Sequence, residues 1–97
     1  MQQVLVHFDF PADENANKQN YDAVWDDLRA AGHANPKGLI FHAGAPKPGG
    51  GWIVIDVWES AEAFQEFGKV LMPIIQKHKL PEVQPNIYPA HYIYQSK

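Results

Sequence analysis

The sequence predicts an α+β fold in which a four-stranded antiparallel sheet carries two helices on one face, and three observations predict it. Alternation with a two-residue period marks strands at residues 4 to 10 and 52 to 58. Apolar residues at helical spacing follow each of those strands. A Pro/Gly-rich loop, Pro46-Lys47-Pro48-Gly49-Gly50-Gly51, sits where a hairpin would join the second strand to the third. The order strand, helix, strand, strand, helix, strand is that of the split βαβ, or ferredoxin-like, arrangement. Right-handed crossovers then give the strand order 4-1-3-2.

Each element has a local reason. In the first strand Val4, Val6, Phe8 and Phe10 share one face and Leu5, His7 and Asp9 the other. Pro11 ends it. Asn17 is an N-cap ahead of a helix in which Tyr21, Val24, Trp25, Leu28 and Ala31 recur at helical spacing, and Gly32 is its stop. Tyr21 and Trp25 are read as core residues of that helix. Leu39 to Ala43 make the second strand and Trp52 to Trp58 the third.

Ser60 caps a second helix with a broad apolar stripe from Ala63 to Ile75. Pro73 cannot donate to the carbonyl four residues earlier, so a kink or break is expected near Leu71-Met72, with a short helical piece continuing to about Lys79. Val83 to Tyr94 read as an extended edge segment, because Pro85 and Pro89 do not suit a central strand.

Composition bounds the function. The 97 residues, 45 % hydrophobic and 20 % charged, suit one globular domain spanning 1–97 rather than a disordered chain. The net charge is -3 and the lysines are scattered, with only Lys77 and Lys79 close together, so no nucleic-acid partner is expected. The absence of cysteine excludes disulfides, zinc-thiolate and iron–sulfur sites and a thiol nucleophile. No apolar stretch approaches the ~20 residues that span a bilayer, so no membrane partner and a cytoplasmic location are expected.

The third strand holds the candidate site. Trp52, Val54, Asp56 and Trp58 share one face, and Ile53, Ile55 and Val57 share the other. A carboxylate between two tryptophans is a costly way to build a plain core. The aliphatic face, with Val4, Val6 and Phe8, is expected to meet the helices. The opposite face, with Trp52, Val54, Asp56, Trp58, His7 and Asp9, would then be left open. Such a patch calls for a cover, and the expected cover is a second copy, giving a homodimer whose sheets close around a central cavity.

An even hairpin register puts His42 beside Asp56, where the carboxylate could orient and charge-stabilise the imidazole as a general base. The bland reading is a hydrogen-bonded pair that merely fixes the hairpin or the interface. Trp52 and Trp58, with Val54, could hold a planar ligand or simply pack. His7 and His91 are further candidates, with the facing of His91 open. A metal site from His7, His42, His91 and Asp56 lacks any supporting ligand spacing, so none is expected. Gly49 to Gly51 read as hairpin flexibility rather than a phosphate cradle.

The element order, Tyr21-Asp22-Ala23-Val24-Trp25, Gly50-Gly51-Trp52 through Asp56-Val57-Trp58-Glu59-Ser60 with Ala63-Phe64, and the closing Tyr88-Pro89-Ala90-His91 resemble the dimeric α/β-barrel superfamily. Within it they resemble the antibiotic-biosynthesis-monooxygenase-like proteins of a small bacterial subgroup. That resemblance covers most of the chain. It implies cofactor-free oxygenases of polyketide quinols, haem-degrading enzymes, muconolactone isomerases or dehydratases as relatives in function. The haem-degrading branch carries a histidine in its second helix, where this chain offers only His78 near the far end. Haem degradation is therefore disfavoured.

The expected function is a cofactor-independent monooxygenase or isomerase acting on a small apolar or aromatic molecule. His42 would remove a proton, Asp56 would hold the imidazole, and His91 or His7 would meet the developing charge, with His7, Trp52, Val54 and Trp58 binding substrate. No flavin or metal cofactor is needed when the deprotonated substrate itself reacts with dioxygen. The alternatives are a small-ligand-binding dimer without catalysis and a module that only dimerises.

Overall fold

In the structure, a computed structural model that describes residues 2–94, the elements follow the expected order. They are β1 (Val4–Phe10), α1 (Lys18–Ala30), β2 (Leu39–Pro46), β3 (Trp52–Trp58), α2 (Ala61–Lys77) and β4 (Asn86–Pro89). The strands pair as β2-β3-β1-β4, all antiparallel, which is the expected order read from the other edge. Asn17 and Ser60 cap the two helices by accepting from Asn20 N–H and Ala63 N–H. No helix among the described residues is long and apolar enough to cross a membrane.

The facing of β1 is the expected one, with Val4, Val6 and Phe8 toward the helices, but the facing of β3 is the reverse of the expected one. Across the β1–β3 ladder Val4 stands opposite Trp58, Val6 opposite Asp56, Phe8 opposite Val54 and Phe10 opposite Trp52. Residues directly opposite in a ladder project to the same side. The Val4/Val6/Phe8/Phe10 face of β1 is thus continuous with the Trp52/Val54/Asp56/Trp58 face of β3, and this is the face beneath the helices. Trp58 packs edge-on to Phe64 and tilted to Phe67 of α2, and Trp52 packs against Tyr21 of α1. The two tryptophans therefore lie under the protomer's own helices and not at a junction of two sheets.

The open side carries Leu5, Phe41, Ile53, Ile55, Val57 and Tyr88, with His7 and Asp9. Phe41 is 49 % exposed and Tyr88 53 %, so this mainly apolar surface is uncovered in one copy of the chain.

Two further details differ from expectation. α2 runs unbroken through Pro73. Pro73 lies on the exposed side of the helix, where water can satisfy the freed Lys69 carbonyl, while Phe64, Phe67, Leu71 and Ile75 hold the inner side. At the far edge β4 is only four residues long, and residues 90–94 follow it without strand pairing.

The hairpin turn depends on Gly51. Its φ is +94°, and an added Cβ would lie 2.4 Å from the Phe10 carbonyl oxygen, so no side chain fits where β3 leaves the turn. β2 has an irregularity between Leu39 and Phe41 and then stays in register, with His42 opposite Asp56 and Gly44 opposite Val54.

Candidate active site

β2, β3 and α1 bring four side chains into one hydrogen-bonded chain. Asp56, in the middle of β3, is 5 % exposed. Its Oδ1 lies 2.6 Å from His42 Nδ1, and its Oδ2 accepts from the Trp58 indole N–H at 3.2 Å. Each carboxylate oxygen thus has its donor, which is what makes burial of the group tolerable. Because Nδ1 donates to Asp56, Nε2 presents its lone pair, and Tyr21 Oη lies 2.5 Å from it. The phenol donates and the imidazole accepts.

Local structure fixes this alignment. Tyr21 and Trp25 are one turn apart on α1 and both face the sheet. Trp25 meets the His42 ring edge-to-face at 4.9 Å between centroids, and Tyr21 stacks beside it at 5.9 Å with an interplanar angle of 8°. Gly44 lets the phenol in. A Cβ there would lie 2.7 Å from Tyr21 Cε2 and Cζ and 2.8 Å from Oη, so the ring rests directly on the β2 backbone. Burial pushes the Tyr21 phenol above its ordinary value, and the negative charges of Asp56 and Asp22 push the same way. It therefore stays protonated and available as a donor.

The chain borders a cavity of about 60 Å³ between sheet and helices. Phe8 and Phe10 from β1, Val54 and Trp58 from β3, and Phe67 and Leu71 from α2 make its apolar wall, and Tyr21, Trp25, His42 and Asp56 supply the polar side. About 10–15 Å³ of such space suffices for one water, so the cavity takes a few small atoms but not a ring without movement. A wider, open groove of about 540 Å³ lies outside, between the start of α1 and the β2–β3 hairpin. Ala16, Asn17, Tyr21 and Trp52 line both spaces, and the Tyr21 and Trp52 rings meet with centroids 5.1 Å apart. Among the described residues the Trp52 Nε1 donor is buried without a partner, a condition that costs about 1–3 kcal/mol.

Of the residues singled out from sequence, His42, Asp56, Trp52, Val54 and Trp58 converge here. His7 and His91 do not. His7 projects from the open face, with Nδ1 3.3 Å from the Asn86 side-chain amide, because it alternates with the buried Val6 and Phe8. His91 is exposed beyond the end of β4, which pairs too briefly to carry it inward. Among the described residues no three His, Asp or Glu side chains gather as metal ligands.

Sequence reasoning missed Tyr21, Trp25 and Gly44. A tyrosine on the inner face of a helix needs a partner for its hydroxyl, and a glycine two residues beyond a strand histidine marks a close approach. Both were usable signals.

No family model matches the chain, and no curated protein matches it. Solved structures do. A variant of SnoaB, a cofactor-independent oxygenase from Streptomyces nogalater, aligns at TM-score 0.70 and 16 % identity over 99 % of this chain and 100 % of that one. A Deinococcus radiodurans protein named provisionally as an antibiotic biosynthesis monooxygenase aligns at 0.66 and 10 % over 97 % and 98 %. A dimeric ferredoxin-like protein of unknown function from Thermobifida fusca aligns at 0.63 and 12 % over 92 % of each. At these identities the likeness carries the fold and not the activity. The chain has the ferredoxin-like fold that these solved structures share.

Proposed function

We propose that this protein is a cofactor-independent enzyme that removes a proton from a small, largely apolar aromatic substrate, using Tyr21, His42 and Asp56 as a relay. The observation that carries the reading is the unbroken chain Tyr21 Oη, His42 Nε2, His42 Nδ1, Asp56 Oδ1 at the edge of an apolar cavity. Tyr21 Oη takes the substrate proton on a lone pair while its own proton passes to His42 Nε2. Asp56 then holds the imidazolium, and the buried site keeps water from levelling the exchange.

The substrate anion has two outcomes. Returned at a different carbon, the proton gives an isomer. Met by dioxygen, the anion forms a C–O bond to give a peroxide, which takes the stored proton. Loss of water from the hydroperoxide then leaves a carbonyl where a CH₂ group stood. The fold shared with SnoaB, itself a cofactor-independent oxygenase, supports the second outcome.

A non-catalytic ligand-binding role is the second reading, and the mainly apolar lining of the cavity supports it. Incubation of hydroxyarenes and enolisable aryl ketones in heavy water, with dioxygen uptake followed in parallel, separates the readings. Deuterium incorporation or uptake that disappears in His42→Ala and Tyr21→Phe supports the enzyme. Ligand retention with neither signal supports binding alone.

We further propose a homodimer through the open face of Phe41, Ile53, Ile55 and Tyr88, which replaces the interface expected at Trp52 and Trp58. The uncovered apolar surface and the dimeric neighbour support it. Sedimentation at micromolar concentration should give twice 11.0 kDa. A stable monomer there would refute it.

A further inference from the structure

The unpartnered indole of Trp52 points to the kind of molecule the site takes. Trp52 is 8 % exposed, and Nε1 is a buried side-chain donor without a partner among the described residues. Trp58, fully buried in the same strand, gives its N–H to Asp56. Packing alone does not account for the difference, because a phenylalanine would fill much of the space at residue 52 and strand no donor. Trp52 also borders both cavity and groove, as do Ala16, Asn17 and Tyr21, and its ring lies against that of Tyr21. Parting those two rings joins the two spaces and brings the indole N–H and the Tyr21 hydroxyl to the same volume.

The charges around the groove say which acceptor suits that donor. Lys18 is paired with Asp22 at 2.7 Å and Lys47 with Asp9, so both cations at the mouth are engaged. An anionic ligand would have to break one of these pairs and approach Asp22. A neutral oxygen meets no such barrier.

We propose that Trp52 Nε1 donates a hydrogen bond to a carbonyl or phenol oxygen of a neutral, ring-sized aromatic ligand that enters by the groove and parts Trp52 from Tyr21. On the proton-relay reading above, the oxygen so held is the one that gains charge when the neighbouring hydrogen leaves for Tyr21. Only that last step rests on the relay.

Three probes test the anchor: 2-tetralone, its deoxygenated counterpart tetralin, and the anion 2-naphthoate. Titration calorimetry on the wild-type chain should give about tenfold tighter binding of 2-tetralone than of tetralin, the scale of one well-formed hydrogen bond. 2-Naphthoate should bind more weakly than 2-tetralone. In Trp52→Phe the ketone should fall to the level of tetralin while the melting temperature of the free protein holds or rises, because an orphan donor has gone. Retention of the ketone preference in that variant would overturn the proposal. So would equal loss of both neutral probes with a lower melting temperature, which is the signature of a packing role.

Should Trp52→Phe not fold, the wild-type indole ¹H–¹⁵N resonances decide the matter. One of them should move downfield with 2-tetralone and stay with tetralin. An unmoved set, tighter binding of 2-naphthoate, or no 2-tetralone binding would each overturn the assignment. Bound 2-tetralone that exchanges no hydrogen would sink the relay and leave the anchor standing.

Discussion

Strand β3 builds two unlike surfaces from alternate residues. Toward the helices it presents Trp52, Val54, Asp56 and Trp58, and toward the open side Ile53, Ile55 and Val57. On the covered side the polar atoms of Asp56 are tied to His42 and Trp58, and His42 is tied in turn to Tyr21. On the open side β3 offers no polar side chain at all. The difference teaches how to tell a chemical face from a docking face: polar groups are costly to bury without partners and are found where they are matched, whereas a uniform aliphatic surface offers only area.

Substitutions on the two sides should therefore behave differently. The largest effect is expected for Asp56→Ala, which strips the buried Trp58 donor and the part-buried His42 donor of their acceptor and should destabilise the fold by on the order of 3 kcal/mol, read by chemical denaturation, with loss of any proton-transfer activity. Gly44→Ala comes next. Its methyl would collide with the Tyr21 ring, so a cost of about 1–3 kcal/mol is expected from overpacking, together with activity lost as in Tyr21→Phe. Ile55→Asp, on the open face, should leave the helical circular dichroism and the relay intact while converting a dimer to a monomer by sedimentation. Loss of the relay in that variant would break the distinction between the faces.

The smallest effect is expected away from both faces. Asp27 accepts from His78 Nε2 at 2.8 Å and Lys77 Nζ at 3.1 Å, tying α1 to the end of α2. The His78 hydrogen bond, followed by that of Lys77, holds the Asp27 carboxyl below its ordinary value. Its contribution is therefore present above the ordinary carboxylate range and fades as pH falls through it. Asp27→Asn should lower the melting temperature slightly at pH 7, with the gap to wild type closing in acid.

Much of this was legible in the sequence. Two-residue and helical periods marked the six elements and Asn17 and Ser60 the caps, while the pairing of His42 with Asp56 was legible only as the even-register alternative, which a bulge would have reversed and which the ladder selects. The choice of which β3 face the helices cover was not legible, because both faces are apolar enough to be buried. Periodicity groups residues by side without assigning a neighbour to either side. Register with β1 decides it, and register is a property of the ladder rather than of one strand. Pro73 misled for a similar reason: the rule that it breaks a helix counts one lost hydrogen bond and not the four apolar contacts that hold α2 in place. Tyr21 was hidden because its role depends on Gly44, 23 positions away on another strand.

The relay is tested most directly by the protonation of His42 itself. Long-range ¹H–¹⁵N correlation should show the Nδ1 proton held toward Asp56 with Nε2 as the acceptor of the Tyr21 hydroxyl, and Tyr21→Phe should shift Nε2 while leaving Nδ1 in place. A proton found on Nε2, or an Nε2 resonance indifferent to the loss of the Tyr21 hydroxyl, would contradict the account.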